Sequence, residues 1–199
     1  MEKIIFLDRD GTINEEVHYL YRPEDMRFLP GAAEGIAMFN QAGFLVVVVT
    51  NQAGVARGYY TEEDVERLHS FMNEKLKKYG AHIDHFFICP HHPTAGIPPY
   101  NISCSCRKPE TGLLKQAERW HQVDKSHSYM IGDKLADVQA GKKYGISSIL
   151  VATGYGAEHH QLVEEGKEKL CYDKFVPDLE EAARWILQKE GMMDGKEEE

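Results

Sequence analysis

The stretch Ile4-Ile5-Phe6-Leu7-Asp8-Arg9-Asp10-Gly11-Thr12 begins with four apolar residues and then breaks into an acid, an arginine and a second acid. A continuous, β-branched apolar run of this length reads as a strand buried on both faces, as in a parallel sheet. Working outward, the same signal recurs. Ala33, Ile36, Ala37 and Phe39 fall at helical spacing, with Gly43 as the stop. Phe44-Leu45-Val46-Val47-Val48-Val49 predicts a second buried strand. Thr61-Glu62-Glu63-Asp64 carries the cap and acids of a helix N-terminus, and Val65, Leu68, Met72, Leu76 and Tyr79 follow at steps of three and four. Further strands are predicted over 83–88, 128–131, 148–151 and 174–176, and helices over 113–120, 135–144, 161–169 and 179–188. Strand and helix alternating about six times imply βαβ crossovers. The expected class is α/β, with a doubly wound, mostly parallel sheet and helices on both faces. One domain is expected over 1–190, with a flexible acidic tail at 191–199.

Composition narrows the function. The 199 residues are 42% hydrophobic and 28% charged, which suits one globular domain. The longest apolar run, 44–49, has six residues, against the roughly 20 of a membrane helix. The first residues meet an acid after four apolar positions, unlike a signal peptide, so a cytoplasmic protein with no membrane partner is expected. A net charge of −9 argues against binding a nucleic-acid backbone. A monomer is the default expectation.

The cysteines are unevenly spread. Cys89, Cys104 and Cys106 fall within 18 residues, with His91 and His92 among them, while Cys171 stands alone. In a reducing compartment, thiols interleaved with histidine favour a metal over a disulfide framework. Cys89-x-His91 followed by Cys104-x-Cys106 supplies three thiolates and an imidazole, a set suited to tetrahedral Zn²⁺, with His92 as an alternative to His91. The plainer alternative is two unrelated reduced cysteine pairs. Residues 89–110 carry no helix or strand pattern, and so long a loop inside a domain needs a function or a staple. Four protein ligands leave no open position, so this zinc is expected to be structural. Cys106 directly precedes Arg107-Lys108, so the metal would also fix the backbone beside two cations.

In an open α/β sheet, ligands bind beyond the carboxyl ends of the strands. Asp8 and Asp10 follow the first predicted strand, Thr50 and Asn51 the second, Gly132 and Asp133 the fourth. Each alone also reads as a turn or cap residue. Together they supply what hydrolysis of a phosphomonoester needs: a nucleophile, a proton donor and groups to hold the phosphoryl oxygens. Asp8 is the candidate nucleophile, and Asp10 the candidate proton donor and later base. Carboxylates this close repel, and a Mg²⁺ between them relieves the repulsion while binding a phosphate oxygen.

These residues also resemble a known family. Ile4 to Thr12, Val46-Val47-Val48-Val49-Thr50-Asn51, Lys108 and Gly132-Asp133-Lys134-Leu135-Ala136-Asp137 are similar to the four motifs of the haloacid dehalogenase superfamily of phosphatases, over residues 4 to about 155. The resemblance implies a Rossmann-like sheet with a zinc-stapled loop, and His91 rather than His92 as ligand. It implies no large cap domain, because the intervals 12–31 and 51–108 are too short for one. It assigns Mg²⁺ to the Asp8 carboxylate, the Asp10 carbonyl and the Asp133 side chain, and the phosphoryl group to Thr50, the Asn51 N–H and Lys108. Asp137 is expected to orient Lys108 or a metal-bound water.

Gln52, Lys134, Glu16 and Tyr19 complete the expected substrate-binding set, with Arg107 as partner of a second phosphate. Arg9 and Arg57 read as surface residues, Arg57 within a substrate-facing loop, 54–58. Twelve residues separate His91 from Cys104 (92 through 103). That spacer, with Cys106-Arg107-Lys108-Pro109 and Thr50-Asn51-Gln52, is more similar to the branch acting on a heptose 1,7-bisphosphate than to the histidinol-phosphate branch. The implied partner is a small phosphorylated sugar. Residues 15–20 depart from the Asp-x-Gly-Tyr-like pattern expected after Asn14, which leaves sugar recognition open. The reading from another class is a non-catalytic phosphosugar-binding or zinc-stabilised scaffold, which has no need of Asp8 and Asp10.

Overall fold

The computed structural model describes residues 1–193. Strand β1 (Ile4–Leu7) is buried at every position and lies inside a six-stranded sheet. It pairs in parallel with β2 (Leu45–Asn51) on one side and β4 (Tyr129–Gly132) on the other. Beyond β2 lies β3 (His85–Cys89), and beyond β4 lie β5 (Ser147–Val151) and β6 (Lys174–Val176), for an order of β3-β2-β1-β4-β5-β6 with every pairing parallel.

Alternate side chains serve the two faces. Ile5, Leu7, Val46, Val48, Ile131 and Ile149 pack on α1 (Ala32–Gln41), α3 (Glu62–Leu76) and α7 (Leu179–Lys189). Ile4, Phe6, Val47, Val49 and Met130 pack on α4 (Gly112–Ala117) and α5 (Leu135–Tyr144). The expected doubly wound architecture is therefore present, and all six expected strands are found. Thr61 caps α3 reciprocally: its hydroxyl accepts from the Asp64 N–H at 3.2 Å, and Asp64 Oδ2 accepts from the Thr61 N–H at 2.9 Å.

Some boundaries differ. β2 runs on through Thr50 and Asn51, so both residues belong to the strand. A short helix, α2 (Ala53–Ala56), follows it unannounced. The helix expected over 161–169 is α6, Gly156–Glu164. Its one buried residue is Gly156, so it offers no apolar stripe from which its position could be read. Residues 90–110 form no helix or strand, as expected. The expected acidic tail lies outside the described residues from 194 on. No helix among the described residues is long and apolar enough to cross a membrane.

Candidate active site

The strand order sets four strand ends side by side, because the chain adds β2 and β3 on one side of β1 and then returns to place β4 on the other. Such a reversal opens a crevice at the carboxyl ends. A cavity of about 380 Å³ lies there, lined by Asp8, Asp10, Thr50, Asn51, Gln52 and Lys108, with Glu16, Tyr19 and Lys134 at its wall. Asp133 is fully buried behind it. Nearly all the residues singled out in the sequence are thus brought together.

Lys108 is the hub. Its ammonium stands 2.7 Å from Asp8 Oδ1 and 2.7 Å from Asp137 Oδ1. Burial pulls the Lys108 pKa down, but the Asp137 and Asp8 carboxylates outweigh it, and the net shift is upward. Asn51 holds its backbone from both sides: Nδ2 donates to the Lys108 carbonyl at 3.1 Å, and the Lys108 N–H donates to Oδ1 at 3.0 Å. Asp137 thus touches Lys108 directly, and its Oδ2 also accepts from the Lys134 N–H at 3.0 Å. Lys134 Nζ reaches Glu16 Oε2 at 3.2 Å. Burial lowers the Lys134 pKa, but Asp8, Asp133, Asp137 and Glu16 raise it further.

Carboxylate oxygens of Asp8, Asp133 and Asp137 lie within 4.8 Å of one another, all buried. Burial first, then Asp8 and Asp137, push Asp133 up to about 8. Its Oδ1 has no hydrogen-bond partner. A buried, unpartnered carboxylate oxygen beside two more carboxylates fits a hard divalent cation. Gly11, at φ 84°, makes the approach possible, since a Cβ there would run into the Asp133 carboxylate.

Asp10 is held differently. Its Oδ1 accepts from Asn14 Nδ2 and Arg9 Nη2, each at 3.0 Å. Its Oδ2 accepts from Arg9 Nη2 at 2.9 Å and Gln52 Nε2 at 3.0 Å. Burial raises the Asp10 pKa, but the Arg9 charge and the bonds from Asn14, Arg9 and Gln52 hold it below the usual carboxylate range. Arg9 is not the surface residue expected; it is fully buried. An arginine between two acids looks solvated in sequence, and only the fold shows that its charge is met in the interior. Arg57, also expected at the surface, is half-buried, and its Nε lacks a partner. Gln52 spends its amide inward as well: Nε2 also donates to Thr50 Oγ1 at 2.9 Å, and Oε1 accepts from the Tyr60 hydroxyl at 2.6 Å.

Arg107 stands outside this cavity, beside a shallower one of about 270 Å³ lined also by Pro93 and Ser103. Its Nη1 donates to the His91 carbonyl at 3.1 Å. Over the cavity rim, Tyr19 meets Tyr59 edge-on, with ring centroids 4.8 Å apart. His18 and Tyr19 are both left-handed, at φ 50° and 63°, an arrangement that costs about 1–2 kcal/mol per residue and aims both side chains at the cavity.

The cysteine–histidine group gathers as the spacing suggests. Cys106 Sγ lies 3.1 Å from both Cys89 Sγ and Cys104 Sγ, and 3.5 Å from His91 Nδ1. Tetrahedral ligands about 2.3 Å from one ion stand about 3.8 Å apart; the sulfurs here sit closer than that, so the cluster gathers the soft donor set of such an ion at a tighter spacing. His92 is engaged elsewhere, its Nδ1 accepting from the Ala95 N–H at 3.0 Å and the Thr94 N–H at 3.3 Å. Residues the sequence did not single out are Asn14, Tyr60 and His69. Asn14 and Tyr60 lie only four and eight residues from their partners Asp10 and Gln52, whereas His69 meets Arg9 across 60 residues, too far to leave a local pattern.

Comparison with known proteins places the chain in a family. Residues 105–182 match the HAD-hydrolase-like family model. The chain is 38% identical over 183 residues to the D-glycero-beta-D-manno-heptose-1,7-bisphosphate 7-phosphatase of Escherichia coli K12, covering 92% of this chain and 87% of that protein. It is 39% identical over 173 residues to the enzyme of the same name from Pasteurella multocida, covering 86% and 91%. Among solved structures, the D,D-heptose 1,7-bisphosphate phosphatase of B. bronchiseptica, complexed with magnesium and phosphate, superposes with a TM-score of 0.81 at 33% identity, covering 94% of this chain and 99% of that one.

Proposed function

This chain belongs to the heptose 1,7-bisphosphate phosphatase family of HAD-like hydrolases and is a phosphatase, and on that premise we propose that it removes the 7-phosphate of D-glycero-D-manno-heptose 1,7-bisphosphate through an aspartyl-phosphate. The observation that carries the reading is the Lys108 ammonium between Asp8 and Asp137, in a cavity that Asp10 also lines.

An oxygen of Asp8 attacks phosphorus, and the C7 oxygen leaves with a proton from Asp10. The free site holds the Asp10 carboxylate ionised, and it takes up that proton as the negative charge of the phosphate ester enters the cavity. Water then attacks the acyl phosphate, gives its proton to Asp10, and releases inorganic phosphate with Asp8 restored. Lys108 and the Thr50 hydroxyl hold phosphoryl oxygens during both transfers. Mg²⁺ held by Asp8, Asp133 and the Asp10 carbonyl would offset the crowded carboxylates and draw charge from a phosphoryl oxygen. Zn²⁺ on Cys89, His91, Cys104 and Cys106 would staple the loop that leads into Arg107 and Lys108. The non-reacting phosphate falls to Arg107 and Arg57. Both guanidinium charges also bear on His92, whose pKa burial first and then Arg107 and Arg57 lower.

Phosphate release with Mg²⁺ is the test, comparing heptose 1,7-bisphosphate, fructose 1,6-bisphosphate and histidinol phosphate. The heptose bisphosphate is expected to give the highest kcat/KM. A preference for histidinol phosphate would overturn the substrate and leave the chemistry standing.

A further inference from the structure

His69 sits on α3, 60 residues from Arg9 in sequence, and does not line the cavity. It is 5% exposed and stacks on Phe86 with ring centroids 4.2 Å apart. Its Nε2 lies 3.3 Å from Arg9 Nη1. A guanidinium can only donate, so Nε2 accepts, and the ring is neutral with its proton on Nδ1. Arg9 is then held along every edge: Nε and Nη2 on Asp10, Nη2 also on the Leu20 carbonyl and Gln52 Oε1, and Nη1 on His69.

We propose that His69 is a positioning residue: by accepting from Arg9 it fixes the guanidinium, which in turn fixes the direction in which the Asp10 carboxylate meets the leaving group. The inference rests on the reading of Asp10 as proton donor. A buried guanidinium that loses an acceptor keeps a charged N–H unpaired and shifts toward its remaining partners. Asp10, bound by it through both oxygens, shifts with it. A displacement near 1 Å in a reacting group costs up to about 10²-fold in rate.

Leaving-group chemistry separates this role from a merely structural one. The value of kcat/KM reports the steps through departure of the alcohol. A sugar alkoxide needs a proton as it leaves; p-nitrophenolate does not. The measurement is kcat/KM of the full chain with Mg²⁺ on a sugar phosphate and on p-nitrophenyl phosphate, with thermal midpoints recorded for each variant. His69→Leu is expected to lower the sugar-phosphate value about tenfold and the p-nitrophenyl value less than about twofold. His69→Gln, which keeps an acceptor, returns the sugar-phosphate value to within about threefold of the parent. Arg9→Lys, which lacks the His69-facing nitrogen, shows the same selective loss, and His69→Leu adds nothing to it. Equal losses on both substrates, no loss on either, failure of the Gln rescue, or additive losses in the double variant would each overturn the proposal. Sugar-phosphate turnover that survives Asp10→Asn would instead remove the reading on which it rests.

Discussion

Lys108 Nζ lies 2.7 Å from Asp8 Oδ1 although 100 residues separate the two, and both side chains are almost wholly buried, at 1% and 6% exposure. A buried ion pair is not by itself a source of stability, because desolvation offsets the Coulomb gain. Asp133 and Asp137 stand beside this pair, which makes the site a cluster of buried carboxylates of the kind that suits a hard divalent cation. Its geometry is explained by function better than by stability.

Asp8→Asn is expected to lower phosphate release by at least about 10³-fold, because an amide cannot form the acyl phosphate. Steady-state assays with Mg²⁺ measure this, with circular dichroism to show that the fold persists. Residual activity within about tenfold of the parent would remove Asp8 as nucleophile.

Asn51→Ala strips both hydrogen bonds from the Lys108 backbone. A stability loss of about 1–3 kcal/mol is expected from the unpaired groups, and a fall in kcat of about 10- to 100-fold from the loosened ammonium. Denaturant titration and steady-state kinetics read the two effects separately.

Stripping the cysteine–histidine cluster should act at a distance. Cys104→Ser/Cys106→Ser protein, assayed in saturating Mg²⁺, is expected to lose activity by about tenfold or more as Arg107 and Lys108 lose their anchor. Metal analysis of the purified parent should find zinc. Equal activity in the parent and the stripped variant would refute this coupling.

His69 gives a pH signature in stability. Burial first, then the Arg9 charge, lowers its pKa from 6.5 to about 3, with Asp10 working weakly in the other direction. Below pH 6.5 the unfolded chain takes up a proton that the folded chain refuses, so this contribution destabilises the fold progressively as pH falls toward about 3. The slope approaches about 1.4 kcal/mol per pH unit. Relative to His69→Gln, the parent is therefore expected to lose thermal midpoint between pH 6 and pH 4 more steeply.

Much was legible from local pattern. β1 (Ile4–Leu7), α5 (Leu135–Tyr144) and β6 (Lys174–Val176) stand where the apolar runs and caps place them, because each signal lies within a few neighbouring residues. The acids at the strand ends and the four metal-type ligands were likewise visible as residue types at short spacing. α6 was displaced, because a helix with one buried residue leaves almost no periodic trace.

The sequence by itself determined the alternation that makes a parallel sheet, the positions of Asp8, Asp10 and Asp133 at strand ends, and the Cys89, His91, Cys104 and Cys106 set. Only the tertiary structure decided what those groups face: Asn51 across 57 residues on the Lys108 backbone, and His69 behind Arg9 behind Asp10. The reason is physical. Secondary structure follows from interactions within a turn or a pleat, whereas the partner of a buried charge is whatever the packed sheet and helices bring within about 3 Å, and desolvation makes a charge left unmet there costly.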